Sequence, residues 1–200
     1  MGLLDALRDL LGGEKDAPEP STDPAVLFEL SGVALTMESE LGYEPTGHAA
    51  LCFSAPDSDH FETTIDDLRA VLEASEADVG TRARFHEDDH GFRWVVLEDD
   101  SVEDLVTNLQ FAGETFVERS YDEHLLAALL AFERKGRRAY WIYSFDRGTF
   151  YPFVPDGDRE RDAATEFRLR SVLDPELPVE PDESEWYPLW PDRPGDHPWE

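Results

Sequence analysis

Lysine is almost missing from this chain, and cysteine, methionine and long apolar runs are scarce with it. Only Lys15 and Lys135 are lysines, and the 17 basic residues face 46 acidic ones, a formal charge of -29 over 200 residues. So little positive charge leaves no basic stripe to neutralise nucleic-acid phosphates, which excludes direct nucleic-acid binding from the expectations. Arg134, Lys135, Arg137 and Arg138 form the one basic cluster, around a turn expected at Gly136. A single cysteine excludes an intramolecular disulfide, and the place of Cys52 between Leu51 and Phe53 marks it as a small buried hydrophobe. A membrane-spanning helix needs about 18 or more consecutive apolar residues, and no such run exists. Asp5, Arg8 and Asp9 interrupt the first apolar stretch, so no secretory signal is expected, and a cytoplasmic location follows. Met1-Gly2 opens like a myristoylation site, but Ala6 stands where that motif needs Ser or Thr.

What the chain does have is acid spread evenly among aromatics, with 12 Phe, 6 Tyr and 5 Trp in the same segments. A disordered acidic tail would concentrate its charge in one block with few aromatic residues. Molar salt shortens the Debye length to about 3 Å and screens the repulsion that opposes compaction. The composition therefore reads as that of a halophilic cytoplasmic protein. Its melting temperature is expected to fall as salt is lowered from molar to low millimolar, and a flat melting temperature across that range would remove the halophile reading.

Residues 1–13 predict a short amphipathic helix, with Leu3, Leu4, Leu7, Leu10 and Leu11 on one side and Gly12-Gly13 at its end. Residues 14–23, rich in Pro and Ser/Thr, read as a flexible linker. A single α+β domain is expected over 24–175. Asp23-Pro24 is a cap followed by proline at the first helical position, which starts a helix through Leu27 and Leu30, with a second short helix through Met37 and Leu41 ended by Gly42. After a turn at Pro45-Thr-Gly47, a buried strand runs from His48 to Ser54, and a helix follows from Asp59 or Phe61. Thr81–His86 and Phe92–Leu97 alternate as a hairpin, and Ser101 caps an amphipathic helix through Phe116. Leu125–Phe132 and Ala139–Phe145 form a second hairpin about Lys135-Gly136, with a third strand over Thr149–Val154. A last helix is expected from Asp158 to Leu173, carrying Arg159, Arg161, Arg168 and Arg170 as solvated charges. The fold class is α+β, a mostly antiparallel sheet built from hairpins with helices packed against it. Residues 176–200 form a Pro/Trp-rich tail that Trp186, Leu189 and Trp190 dock on the domain.

His86-Glu-Asp-Asp-His90 matches H-E-x-x-H, in which two imidazoles one helical turn apart hold zinc and the glutamate activates water. That chemistry needs a helix, whereas Asp88, Asp89 and Gly91 disfavour one and the flanks alternate as strands. The segment reads as a hairpin turn, and no metal or cofactor is assigned. A zinc-dependent hydrolase using His86, Glu87 and His90 is the alternative function class. Around Gly148, Arg147 and the aromatics Phe150, Tyr151 and Phe153 read as sheet residues packing on Trp186 and Trp190, with a small pocket that has Arg147 as its anion contact as the alternative.

Six pieces stand in order along the chain. They are Met1-Gly-Leu-Leu-Asp-Ala-Leu7, Leu41-Gly-Tyr-Glu-Pro-Thr-Gly47, Ala50-Leu-Cys-Phe53, Arg147 to Pro155 with Arg159-Glu-Arg-Asp162, Leu177-Pro-Val-Glu-Pro181 and Trp186-Tyr-Pro-Leu-Trp190. Together they resemble the PspA-associated PspAB family of phage-shock, or envelope-stress, systems, in a haloarchaeal-type form. The resemblance implies a non-catalytic adaptor or regulator whose partner is a PspA-like coiled-coil protein that remodels membranes. Candidate partner-binding residues are the five leucines of the leading helix together with Arg147, Phe150, Tyr151, Phe153, Trp186 and Trp190. A peripheral position at the inner face of the cell membrane is a further expectation, with weak contact only, because one short helix without a basic face binds anionic lipid poorly.

Overall fold

The computed structural model describes residues 23–157, 159–190 and 197–199, so the expected helix at 1–13 lies outside the described residues. Asp23 accepts a hydrogen bond from the Ala25 N–H at 2.9 Å and starts a single continuous helical segment where two short helices were expected. This segment, α1, comprises a 3₁₀ turn at Pro24–Phe28, an α-helix at Glu29–Thr36 and a wider π turn at Met37–Leu41. Gly42, at φ 68°, ends it in the left-handed conformation that glycine adopts without steric cost. Three more helices are α2 (Asp59–Val79), α3 (Val102–Glu118) and α4 (Ala163–Leu173). Their caps are Ser58, Ser101 and Asp162, each accepting from a backbone N–H of the first turn.

Six strands, β1 (Glu44–Phe53), β2 (Arg82–Glu87), β3 (Arg93–Glu98), β4 (Leu125–Arg134), β5 (Arg137–Ser144) and β6 (Thr149–Phe153), form one antiparallel sheet in the order β2-β3-β1-β4-β5-β6. The expected turn at Pro45-Thr-Gly47 lies inside β1. Its pairing with β4 shifts between Pro45 and Ala49, and Gly47 sits at φ 78° with its carbonyl accepting from the Asp99 N–H. A Cβ on Gly47 would lie 2.9 Å from the Asp99 carbonyl oxygen, so the glycine permits an irregular strand there.

The two faces of the sheet are covered differently. On one, the row Leu97, Ala49, Leu130 and Trp141 meets the helices, with the Trp141 indole N–H donating to Met37 Sδ at 3.4 Å. Phe53 packs on Phe61 of α2 and Phe116 of α3. Leu105, Val106, Leu109, Ala112 and Phe116 of α3 are fully buried, each worth about 1.5–3 kcal/mol where the side chain is large. Gly113 lets α1 lie close, since a Cβ there would stand 3.0 Å from Pro24. The opposite face carries small residues, Cys52, Ala50, Ala127 and Ala131, between the larger Trp94, Ile142 and Tyr140. Chain from beyond α4 lies on it, with Trp199 5.3 Å from Trp94 and 5.7 Å from Tyr140, and Trp190 edge-on to Phe153 at 4.9 Å. The same segment borders β6, where the Phe150 N–H donates to the Pro178 carbonyl and the Glu180 N–H to the Phe150 carbonyl.

The last helix begins at Ala163, later than the expected Asp158. Asp156 and Glu160 close a tight loop, Pro155 pairs with Arg161, and Asp162 caps the helix through Thr165 N–H and Oγ1. Thr165 holds both carboxylate oxygens of Asp162, and these bonds lower its pKa from the ordinary carboxylate value. Arg161 is consequently not a solvated helix-face charge. It points inward, its Nε 2.9 Å from Glu166, which is 3% exposed.

Candidate functional site

The residues proposed from sequence divide by burial. Leu3, Leu4, Leu7, Leu10 and Leu11 lie outside the described residues. Phe150, Tyr151 and Phe153 are buried on β6, and Trp186 is buried beside them. Trp186 donates its indole N–H to the Glu180 carbonyl at 3.0 Å and takes the Arg170 guanidinium at 5.7 Å over its ring. Arg147 is paired to Glu185 at 2.6 Å and more distantly to Glu180 at 3.8 Å, and Glu180 also accepts from Thr149 Oγ1. These side chains hold the segment after α4 on the sheet. Of the described candidates, Arg147 and Trp190 alone keep partial exposure.

The H-E-x-x-H segment is a strand end and a turn. His86 lies on β2 opposite Trp94, while His90 follows in the turn. Asp88 organises the connection, its Oδ1 accepting from the His90 and Phe92 N–H groups and its Oδ2 from the Trp94 indole. Glu87 accepts from Arg93 at 3.1 Å. Among the described residues, no group of three or more His, Cys, Asp and Glu side chains is disposed to hold a metal ion. His86→Ala is expected to change stability by less than about 0.5 kcal/mol, as at other exposed positions. Asp88→Ala should cost about 1–3 kcal/mol by leaving donors unsatisfied. Chemical denaturation measures both, and metal analysis finding about one zinc per chain, lost with His86→Ala, would restore the metal reading.

One further polar feature was not visible in sequence. Ser54 donates its N–H to the His124 carbonyl at 2.9 Å, and its Oγ lies 3.0 Å from His124 Nδ1. The exposed Glu123 stands 3.8 Å from His124 Nε2, beyond hydrogen-bond distance, so the pair works as a clasp that closes the end of β1. Burial pushes the Cys52 thiol well above its usual value, which keeps it from acting as a thiolate nucleophile at neutral pH.

Exposed apolar side chains that sequence reasoning missed lie on α1, as Val71 and Val79 do on α2, Phe111 and Val117 on α3 and Phe167 on α4. Leu27, Leu30, Val33, Ala34, Met37 and Leu41 face the core, yet Phe28 is 49% and Leu35 69% exposed on the outer side. Ala25, Phe28, Gly32, Leu35 and Ser39, all exposed, follow one another at spacings of three, four, three and four. On a regular α-helix that is the seam spacing of a coiled coil; here Gly32 and Leu35 lie on the α-helical part, Ala25 and Phe28 on the 3₁₀ turn and Ser39 on the π turn. A Cβ on Gly32 would meet nothing within 4 Å, so the middle of the stripe is open to close approach. Glu29, Glu38 and Glu40 flank it.

Fold and surface together define an acidic antiparallel α+β protein with a helix that exposes Phe28 and Leu35 opposite its buried face. Among the described residues, no helix is long and apolar enough to cross a membrane. The family model PspAB, PspA associated protein B, matches residues 1–199, and the chain belongs to that family. The family name carries an association with PspA. No curated protein and no solved structure matches the chain.

Proposed function

We propose that this protein is a non-catalytic adaptor that binds a PspA-like coiled-coil protein in an envelope-stress response, using the outward face of α1. The observation that carries the reading is the exposed stripe Ala25, Phe28, Gly32, Leu35 and Ser39 on a helix whose other face is already buried in the core. Phe28 and Leu35 stand in water opposite the buried face of the helix, and a partner surface would take both out of it. Seam spacing suits a helix as that surface, and the flanking carboxylates select a partner helix with basic residues beside its own seam. The family name supplies the partner. Arg147 and Trp190 are separate candidate contacts, Trp190 on the side of the sheet opposite α1, and the leading leucines at 1–13 offer a further contact and a route to the membrane surface.

Capture of a PspA-like protein, in molar salt, tests the proposal. The intact protein should retain it, and Phe28→Asp with Leu35→Asp should reduce capture at least about tenfold while the melting temperature stays unchanged. Failure of the intact chain to capture this partner overturns the adaptor reading. Loss on deletion of residues 1–13, with the α1 variant binding normally, moves the contact to the leading residues.

A further inference from the structure

In a chain with 46 acidic and 17 basic residues, most of the described cations have a carboxylate within reach. Arg69, Arg82, Arg93, Arg119, Arg147, Arg161 and Arg170 all follow that rule. At the tip of the β4–β5 hairpin the pattern is broken, although Arg138 pairs with Glu133 at 3.4 Å. There, Arg134, Lys135, Arg137 and Arg168 line one cleft of about 190 Å³ over Leu41 and Leu169, and no carboxylate is among its lining residues. Arg137 is engaged by Asp156 at 2.9 Å and by Asp162 at 3.3 Å. Arg134, Lys135 and Arg168 make no ion pair with a carboxylate among the described residues.

The cleft is built from three distant parts of the chain. Tyr43, just past the end of α1, is 5% exposed and supports the Arg134 guanidinium, which lies 5.8 Å from its ring centroid. Lys135 and Gly136 at φ 52° and 77° make the tight turn that brings Arg134 and Arg137 back to the same end of the sheet. Arg168 and Thr165 come from the first two turns of α4, with Thr165 Oγ1 committed as a donor to Asp162. Burial raises the Tyr43 phenol above its usual value and the Asp162 carboxylate adds to the rise, while Arg134, Arg137 and Arg168 act against it. The Tyr43 hydroxyl remains in place as a donor, since no hydrogen bond engages it among the described residues.

We infer that this cleft is an anion site for a phosphate group. Guanidiniums present paired donors in a plane that matches phosphate oxygens, and a dianion uses three unpaired cations and a phenol more fully than a carboxylate does. At the salt concentrations suited to this composition, diffuse attraction is screened and direct contacts of this kind are what survive. The phosphate can come free in solution or on a lipid headgroup, because Lys135 and Gly136 stand exposed at the hairpin tip. The cleft shares no residue with the outward stripe of α1, so the site stands or falls apart from the adaptor reading.

The test uses the full chain and the double variant Arg134→Ala with Arg168→Ala, both at constant ionic strength. One arm titrates inorganic phosphate against chloride and follows melting temperature and binding heat. The other floats the protein with vesicles of phosphatidylglycerol, with phosphatidylcholine vesicles as the control. Saturable binding in either arm, weakened at least about tenfold in the double variant, supports the site, and the arm that responds names the source. Binding in neither arm, or equal binding by the variant, overturns it. Charge-conserving Arg134→Lys with Arg168→Lys should bind between the two, and should the alanine variant fail to fold it takes its place, with undiminished binding as the overturning result.

Discussion

Arg161→Ala is expected to lower the unfolding free energy by about 3–5 kcal/mol, among the largest effects of any single substitution outside the aromatic core. The side chain is the point at which β6, α4 and the following segment are joined. Its Nε reaches both oxygens of Glu166, at 2.9 and 3.0 Å, and its terminal nitrogens donate to the carbonyls of Trp186 and Pro152. Its guanidinium lies over the rings of Phe153 and Trp186. Removal leaves the Glu166 carboxylate, which also accepts from the Val154 N–H, buried without its counter-charge.

Burial lifts the Glu166 carboxyl above its usual value, against the pull of Arg161 and of the Val154 N–H. A carboxyl held higher in the folded state contributes stability that is full below its unfolded pKa and is lost as pH rises through the folded value. Even paired, the charged form therefore adds no net stability at neutral pH, and Arg161 only prevents a larger loss. Two results follow. The deficit of Arg161→Ala should narrow as pH is lowered and Glu166 takes up its proton. Arg161→Met combined with Glu166→Leu should recover most of the loss, because an apolar pair of similar volume does without the desolvation cost. Urea unfolding at fixed salt measures both, as a midpoint change with the slope constant. A deficit that is constant with pH would mean that Arg161 acts through packing on Phe153 and Trp186 rather than through charge.

Trp186→Ala should cost a similar amount, about 3–5 kcal/mol, through loss of a large ring that is 4% exposed. The substitution also removes the donor to the Glu180 carbonyl and the ring beneath Arg170. Because Trp186 and Arg161 share one cluster, their double variant should lose less than the sum of the single losses. Additive losses would show that the two side chains do not act as one cluster, and a truncation at Pro181 that melts with the intact chain would show that the segment does not stabilise the sheet.

How far the sequence foretold this structure depended on how local each determinant was. The hairpin around Asp88 to Gly91 and the one at Lys135-Gly136 were legible because turn chemistry and strand alternation lie within a few residues of each other. The Ser101 cap was legible for the same reason. The position of β1 between β3 and β4 was not, since Ala49–Phe53 gives no local sign that it pairs with Val95 on one side and Leu129 on the other. Two aspartates, Asp158 and Asp162, could each have capped α4, and Thr165 three residues after Asp162 decided it. Trp199 and His197 gave no hint that they would stack at 4.6 Å and reach Trp94, a contact across a hundred residues of chain. The α1 stripe was hidden by its own helix. Phe28 and Leu35 are seven apart, but with the inner positions equally apolar the periodicity has no phase to read.

The order of the chain gives the covering of the small-residue face a meaning in time. All six strands precede the segment that lies on that face, so a growing polypeptide can pair β1 with β3 and β4 while the alanine and Cys52 side remains wet. Until Trp186 and Trp199 have emerged, the assembled sheet offers a flat apolar plane to chaperones, proteases and its own copies. Covering that plane is then a late event, possible only after all six strands have been made.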